Sequence, residues 1–197
     1  MKYSSIFSKI SIAMFMACGL FAAHASHAAG GSVAADSGTA ALLAALPSSK
    51  MTLMDGLKQA SRGSEVAISA KFELDDHKQL SLSVYTAEKG LRVEPEKNVL
   101  KELSGSPEQG KWVPVTEVFK DLPHVARAAQ HLVLAAQLHG SLNDVVADAA
   151  RRNKGTVYSI SPVLQDGKPV LIALVAKQGK VSTFVYEIPS GKLIAEK

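Results

Sequence analysis

Three histidines, His124, His131 and His139, are by type the residues best able to hold a metal ion or a haem. At 100° per residue they fall within about 80° of one another around a helix. A rise of about 1.5 Å per residue nevertheless puts His124 and His131 roughly 10 Å apart, and His139 about 12 Å further on. Zinc takes its ligands at about 2 Å, so the three cannot share one ion unaided. Ordinary boundary histidines are the expectation. A second cluster, Asp75-Asp76-His77 with Asp166 at the corresponding later place, could do acid–base work only if its surroundings split the carboxyl pKa values. Between Leu74 and Leu80 it reads as a solvated hairpin tip, where turn chemistry alone accounts for aspartate. Trp112 and Tyr85 are the candidates for an interface, with Tyr85 placed on the outward face of its strand. The sequence contains no P-loop, paired-histidine zinc helix or calcium loop, and no nucleophile elbow. No catalytic, cofactor-binding or metal-binding residue is expected, and no cofactor or enzyme activity.

The elements that must position these residues begin after an address. Lys2 and Lys9 precede a 14-residue apolar stretch, Ile10–Ala23, which leads into Ala23-His24-Ala25 and Ser26-His27-Ala28. A charged start, a short apolar run and a small-residue exit form a signal peptide, cleaved after Ala25 or Ala28. A spanning helix needs about 20 apolar residues, so no stable membrane insertion is expected after cleavage. Cys18, the single cysteine, lies in a poor lipobox context inside the apolar run. Cleavage leaves 20 basic and 18 acidic residues, a net +2 with no basic stripe, which argues against nucleic acid.

Residues 29–50, rich in Gly, Ala and Ser, read as a flexible leader, with a short helix possible over Ala40–Leu46. Thr52-Leu53-Met54-Asp55 then forms a capping-box variant. Leu53, Leu57 and Ala60 share one helical face, and Gly63 stops the helix. Val66 to Leu74 and Leu80 to Val84 alternate as a strand hairpin. The order recurs after Ser141-Leu142-Asn143-Asp144. At an offset of 89, Leu53, Asp55, Ala60 and Arg62 meet Leu142, Asp144, Ala149 and Arg151. At 90, Ile68, Ala70, Leu82 and Val84 meet Tyr158, Ile160, Ile172 and Leu174. Because a one-residue slip reverses every strand side chain, the common pattern predicts a duplication. Pro162 cannot donate to a ladder, so its strand is expected at an edge or bulged there. Glu94–Gly110 reads as a polar loop and Val118–Gly140 as a connecting helix, broken at Pro123, with Val125, Ala129, Leu132 and Ala136 as its apolar stripe.

The ending Phe184-Val185-Tyr186-Glu187-Ile188-Pro189-Ser190-Gly191-Lys192-Leu193 resembles the PepSY domain family, with Glu187 where aspartate is commoner. The resemblance covers residues 141–197 and, more faintly, 51–105. It implies no catalytic residue. It does imply kinship with propeptide domains of secreted metallopeptidases, for which peptidase inhibition is the proposed role.

The expectation is therefore an α+β chain of two small modules, each a helix on an antiparallel three- to four-stranded sheet. Residues 1–28 are the signal peptide, 29–50 the leader, 51–110 the first PepSY-like module, 111–140 the connecting helical segment and 141–197 the second PepSY-like module. The expected function is exported, non-catalytic protein binding in the periplasm or outside the cell, directed at another exported protein or a peptidase. The alternative is a periplasmic small-ligand or metal-sensing domain using a groove beside the connecting helix.

Overall fold

The computed structural model describes residues 37–197, so the signal peptide and Cys18 lie outside the described residues. Among these residues the fold is α+β, with four α-helices and eight strands. The helices are α1 (Ser37–Ala45), α2 (Leu53–Ala60), α3 (Leu122–Ala135) and α4 (Leu142–Asn153). The strands are β1 (Val66–Leu74), β2 (Leu80–Ala87), β3 (Leu100–Gly105), β4 (Val115–Val118), β5 (Thr156–Gln165), β6 (Lys168–Lys177), β7 (Lys180–Glu187) and β8 (Leu193–Glu196). All eight form one antiparallel sheet in the order β4-β3-β2-β1-β5-β6-β7-β8.

Both predicted caps form. Thr52 accepts from the Asp55 N–H and Ser141 from that of Asp144, while each aspartate accepts in return from the cap backbone. The hydroxyl satisfies an orphan donor, and the carboxylate sits against the positive end of the helix. Thr52→Ala and Ser141→Ala are each expected to lower the unfolding free energy by about 1 kcal/mol. A urea titration in which neither variant moved the midpoint would contradict these caps.

The sheet is covered on both faces. On one side α2 and α4 bury Leu57, Ala60, Val146 and Ala149 against Phe72, Leu82, Val84, Leu171, Ala173 and Phe184. On the other, α3 covers Ile68, Tyr85, Ala87 and Leu100 with Ala128, Leu132 and Ala135. Gly56 of α2 comes so close to the sheet that a Cβ there would lie 2.6 Å from Leu82 Cδ2, which fixes how near the helix can pack.

Several expectations are corrected. Residues 37–50 are not a flexible leader: α1 and a 3₁₀ turn at Leu46–Ser48 follow one another, and Leu46 is buried in the main core. The loop expected at 94–110 contains β3, since Leu100–Gly105 pairs with both β2 and β4. The connecting helix begins at Leu122, not Val118. Asp121 caps it and Pro123 occupies its first turn, where a missing N–H costs nothing. It also ends at Ala135. Val115–Val118 is a strand and Trp112 belongs to the core, so residues 111–118 are not part of the connector.

Pro162 lies neither at an edge nor at a bulge. Its strand is central, but the β1–β5 ladder is confined to Ala70–Ile160 and Lys71–Ser159, so the missing donor falls outside it. The bulge of β5 lies instead between Val157 and Ser159. That is 90 residues after the bulge between Ala67 and Ser69 in β1.

The register expected for β6 is also corrected. Five residues separate the pair Leu74–Leu80, but only four separate Leu164–Pro169. The second hairpin is one residue tighter, so Leu82 and Val84 correspond to Leu171 and Ala173. Ile172 and Leu174 therefore point to the opposite face.

Candidate functional site

The three histidines do not converge. His131, on the buried face of α3, hydrogen-bonds Ser69 Oγ at 2.9 Å. Ser69 is presented by the β1 bulge, which turns two successive residues towards the helix. His124 bonds the carboxylate of its own cap, Asp121, at 2.7 Å and stacks on Phe119. His139 lies beyond the helix end, and its N–H donates to Pro189 O at 3.0 Å. No group of three or more metal-ligating side chains exists among the described residues. In the Asp75 turn, Asp75 Oδ1 accepts from the N–H groups of His77 and Gln79, both at 2.8 Å. The aspartate serves the turn, and Asp166 sits at positive φ in the second hairpin.

Both aromatic candidates are buried, against the expectation that Tyr85 points outward. Its face is the one α3 covers: Tyr85 meets Phe119 edge-on at 4.7 Å and lies 6.0 Å from the His131 ring. Trp112 is 1% exposed and donates its indole N–H to Gly105 O.

Around Tyr85 the sequence has assembled a polar cluster that it did not advertise. Ser83 donates to Glu73, Lys71 pairs with Glu73, and Arg127 reaches the Tyr85 hydroxyl. Burial raises the Glu102 pKa, against the opposing pull of a Ser83 hydrogen bond. Burial likewise pushes the Tyr85 phenol up. It depresses His131 to about 4, helped by the charges of Arg127 and Lys71. Chemically this is a polar network of two carboxyl groups, a phenol and a neutral imidazole. Its two serine hydroxyls, Ser69 beside His131 and Ser83 beside Glu73, are both buried. The cluster ties α3 to the sheet.

The accessible features are the sheet edges. β4 pairs with β3 on one side and has no strand on its other side among the described residues. All four of its residues are exposed, and Val113 and Val115 are 73% and 72% exposed. An edge strand presents unpaired N–H and C=O groups, a template for another chain. The alternation of Val113 and Val115 about Pro114, with Val118 following, was the available sequence signal for this strand. It was obscured by the shortness of the run. A separate cleft of about 100 Å³ lies between the ends of α2 and α3 and the start of α4. Asn143, one of its lining residues, has a buried Oδ1 without a hydrogen-bond partner among the described residues.

No family model and no curated protein matches the sequence. Among solved structures, a candidate lipoprotein from Clostridium difficile 630 is similar over 68% of this chain and 82% of that one, at 13% identity and a TM-score of 0.34. A likeness at that level carries no argument about fold or function.

Proposed function

We propose that this chain is an exported, non-catalytic protein-binding module of two PepSY-like units fused through β1 and β5, which captures a partner by strand addition at β4. The single observation that carries the reading is the free β4 edge, whose valines face solvent instead of a core. In strand addition the main chain supplies affinity, and pockets for alternate side chains supply selectivity. The signal-peptide pattern of residues 1–28 supports a partner outside the cytoplasm. The equivalent caps and the equivalent bulges support a duplicated unit. The PepSY resemblance makes a peptidase the first partner to try. No helix among the described residues is long and apolar enough to cross a membrane.

Affinity capture from the native envelope fraction is expected to recover a discrete partner. Val115→Lys is expected to weaken that recovery at least tenfold without lowering the melting temperature, because lysine on an edge strand opposes pairing. Equal recovery by both proteins would remove β4 from the reading.

One observation favours the alternative, a small-ligand sensor: the cleft beside Asn143. A ligand that binds the native state there raises the melting temperature as its concentration rises. A metabolite and metal panel that leaves the melting temperature unmoved would end that alternative.

A further inference from the structure

The groups that β4 offers to an incoming strand follow from its register. Phe119, just past the strand, donates its N–H to Leu100 O at 3.1 Å, which makes Leu100–Phe119 a hydrogen-bonded pair. Hydrogen-bonded and non-hydrogen-bonded pairs alternate along an antiparallel ladder. Two and four residues earlier, the main chains of Glu117 and Val115 therefore bond those of Glu102 and Ser104 in β3. The N–H and C=O groups of Thr116 and Val118 point the other way, to the open side. Pro114 has no N–H, so the row of donors stops there. Against an antiparallel newcomer, Thr116 and Val118 supply the main-chain bonds. Val115 and Glu117 then take the non-hydrogen-bonded positions, where facing side chains come closest, at a Cα spacing of about 4.5 Å.

Those two side chains specify what must face them. Val115 is 72% exposed beside Ser104, so covering it calls for an aliphatic side chain. Glu117 lies directly opposite Glu102, and like charges so placed repel. Glu102 hydrogen-bonds the Ser83 hydroxyl, on the side away from the open edge. The cations of the adjoining strands are engaged elsewhere: Lys71 pairs with Glu73, and Lys101 with Glu65 and Glu88. Glu117 is exposed, and among the described residues its carboxylate has no ion pair or hydrogen bond. A cation placed opposite it adds attraction and offsets the repulsion from Glu102.

We propose that the strand captured at β4 runs antiparallel to it and carries a lysine or arginine opposite Glu117, with an aliphatic residue two positions later opposite Val115. In the amino-to-carboxyl direction the partner therefore reads basic-x-aliphatic. This rests on the strand-addition reading and adds the partner's chemistry to it. The main chain of Thr116 and Val118 holds any extended segment alike, and the complementary charge and the covered valine supply the selectivity.

Short extended peptides with the orders Lys-x-Val, Glu-x-Val and Val-x-Lys, x being threonine, are the probes. They are titrated into the isotope-labelled exported protein, with the amide shifts of Thr116 and Val118 as the readout. Lys-x-Val is expected to bind at least threefold tighter than Glu-x-Val at low salt, in line with a cross-strand charge pair. The preference should fade in about 1 M salt, where the Debye length is about 3 Å. Glu117→Lys is expected to reverse it. Equal affinity for the Lys and Glu peptides, an order unchanged by Glu117→Lys, or tighter binding of Val-x-Lys overturns the proposal, and none of these touches strand addition itself. The absence of any shift at Thr116 and Val118 also overturns it. Recovery of an envelope partner that depends on Val115 then decides separately whether strand addition stands.

Discussion

Trp112→Ala is expected to lower the unfolding free energy by about 3–5 kcal/mol, the range for truncating a fully buried large aromatic. The indole fills the main core between α2 and the first half of the sheet. Its N–H satisfies Gly105 O at 3.2 Å, while its own carbonyl accepts from Gln59 of α2 at 2.7 Å. Truncation leaves a cavity and removes the shorter of two side-chain hydrogen bonds to Gly105 O, the longer coming from Ser81, and both effects act in the same direction. Gly105 sits tightly against this segment: a Cβ there would lie 3.2 Å from Val113 O and 3.3 Å from Trp112 Nε1. The stretch leading into β4 is therefore located by the tryptophan, and partner capture should fall together with stability. Urea unfolding that shows a loss below about 1 kcal/mol would mean the indole is not packed as described.

The second large effect is on the pH dependence of stability. In the folded chain His131 is held near 4, first by burial and then by the positive charges of Arg127 and Lys71. Unfolding restores it to its ordinary value near 6.5. Between these values the unfolded chain binds the extra proton, so stability must rise with pH. The contribution is fully present above about 6.5 and is lost as pH falls to about 4, for a change of about 3 kcal/mol. Glu102 works in the opposite sense, because burial raises its pKa and protonation at low pH relieves it. The groups facing His131 are Ser69 and Tyr85 from the sheet, with Lys71 and Arg127 supplying the nearby positive charge. His131→Gln is expected to lose about 1 kcal/mol at pH 7.5 with the Ser69 hydrogen bond. It should also flatten the decline between pH 6.5 and 4.5. Parallel pH profiles for the two proteins would show that His131 titrates normally in the fold.

Much of this fold was legible where local chemistry and periodicity agree. Thr52 and Ser141 announced their helices because a hydroxyl three residues before a carboxylate satisfies two orphan donors without help from the rest of the chain. Val66–Leu74 and Leu80–Val84 announced a hairpin because their alternation has one amphipathic solution. What was not legible depended on distant neighbours. Pro162 resembles an edge residue in any sequence, and only the brevity of the β1–β5 ladder lets it sit centrally. Tyr85 reads as outward-facing until α3 arrives from 40 residues later to cover it. The one-residue difference between the hairpins was hidden because both Ile172 and Leu171 are aliphatic, so either register buries a plausible side chain. The polar cluster of Glu73, Ser83 and Glu102 comes from three strands and follows no spacing rule. β3 and β4 are short and flanked by Pro, Gly and charge, which is also what blunts an edge and hides it from a periodicity search.

The central claim is that a partner adds a strand to β4, and amide hydrogen exchange of the protein with and without its captured partner tests it most directly. Exchange of the amides within Val115–Val118 should slow at least tenfold on binding, while those of Leu193–Glu196 keep their rates. Protection that appears at Leu193–Glu196 instead, or at neither strand, would contradict the account.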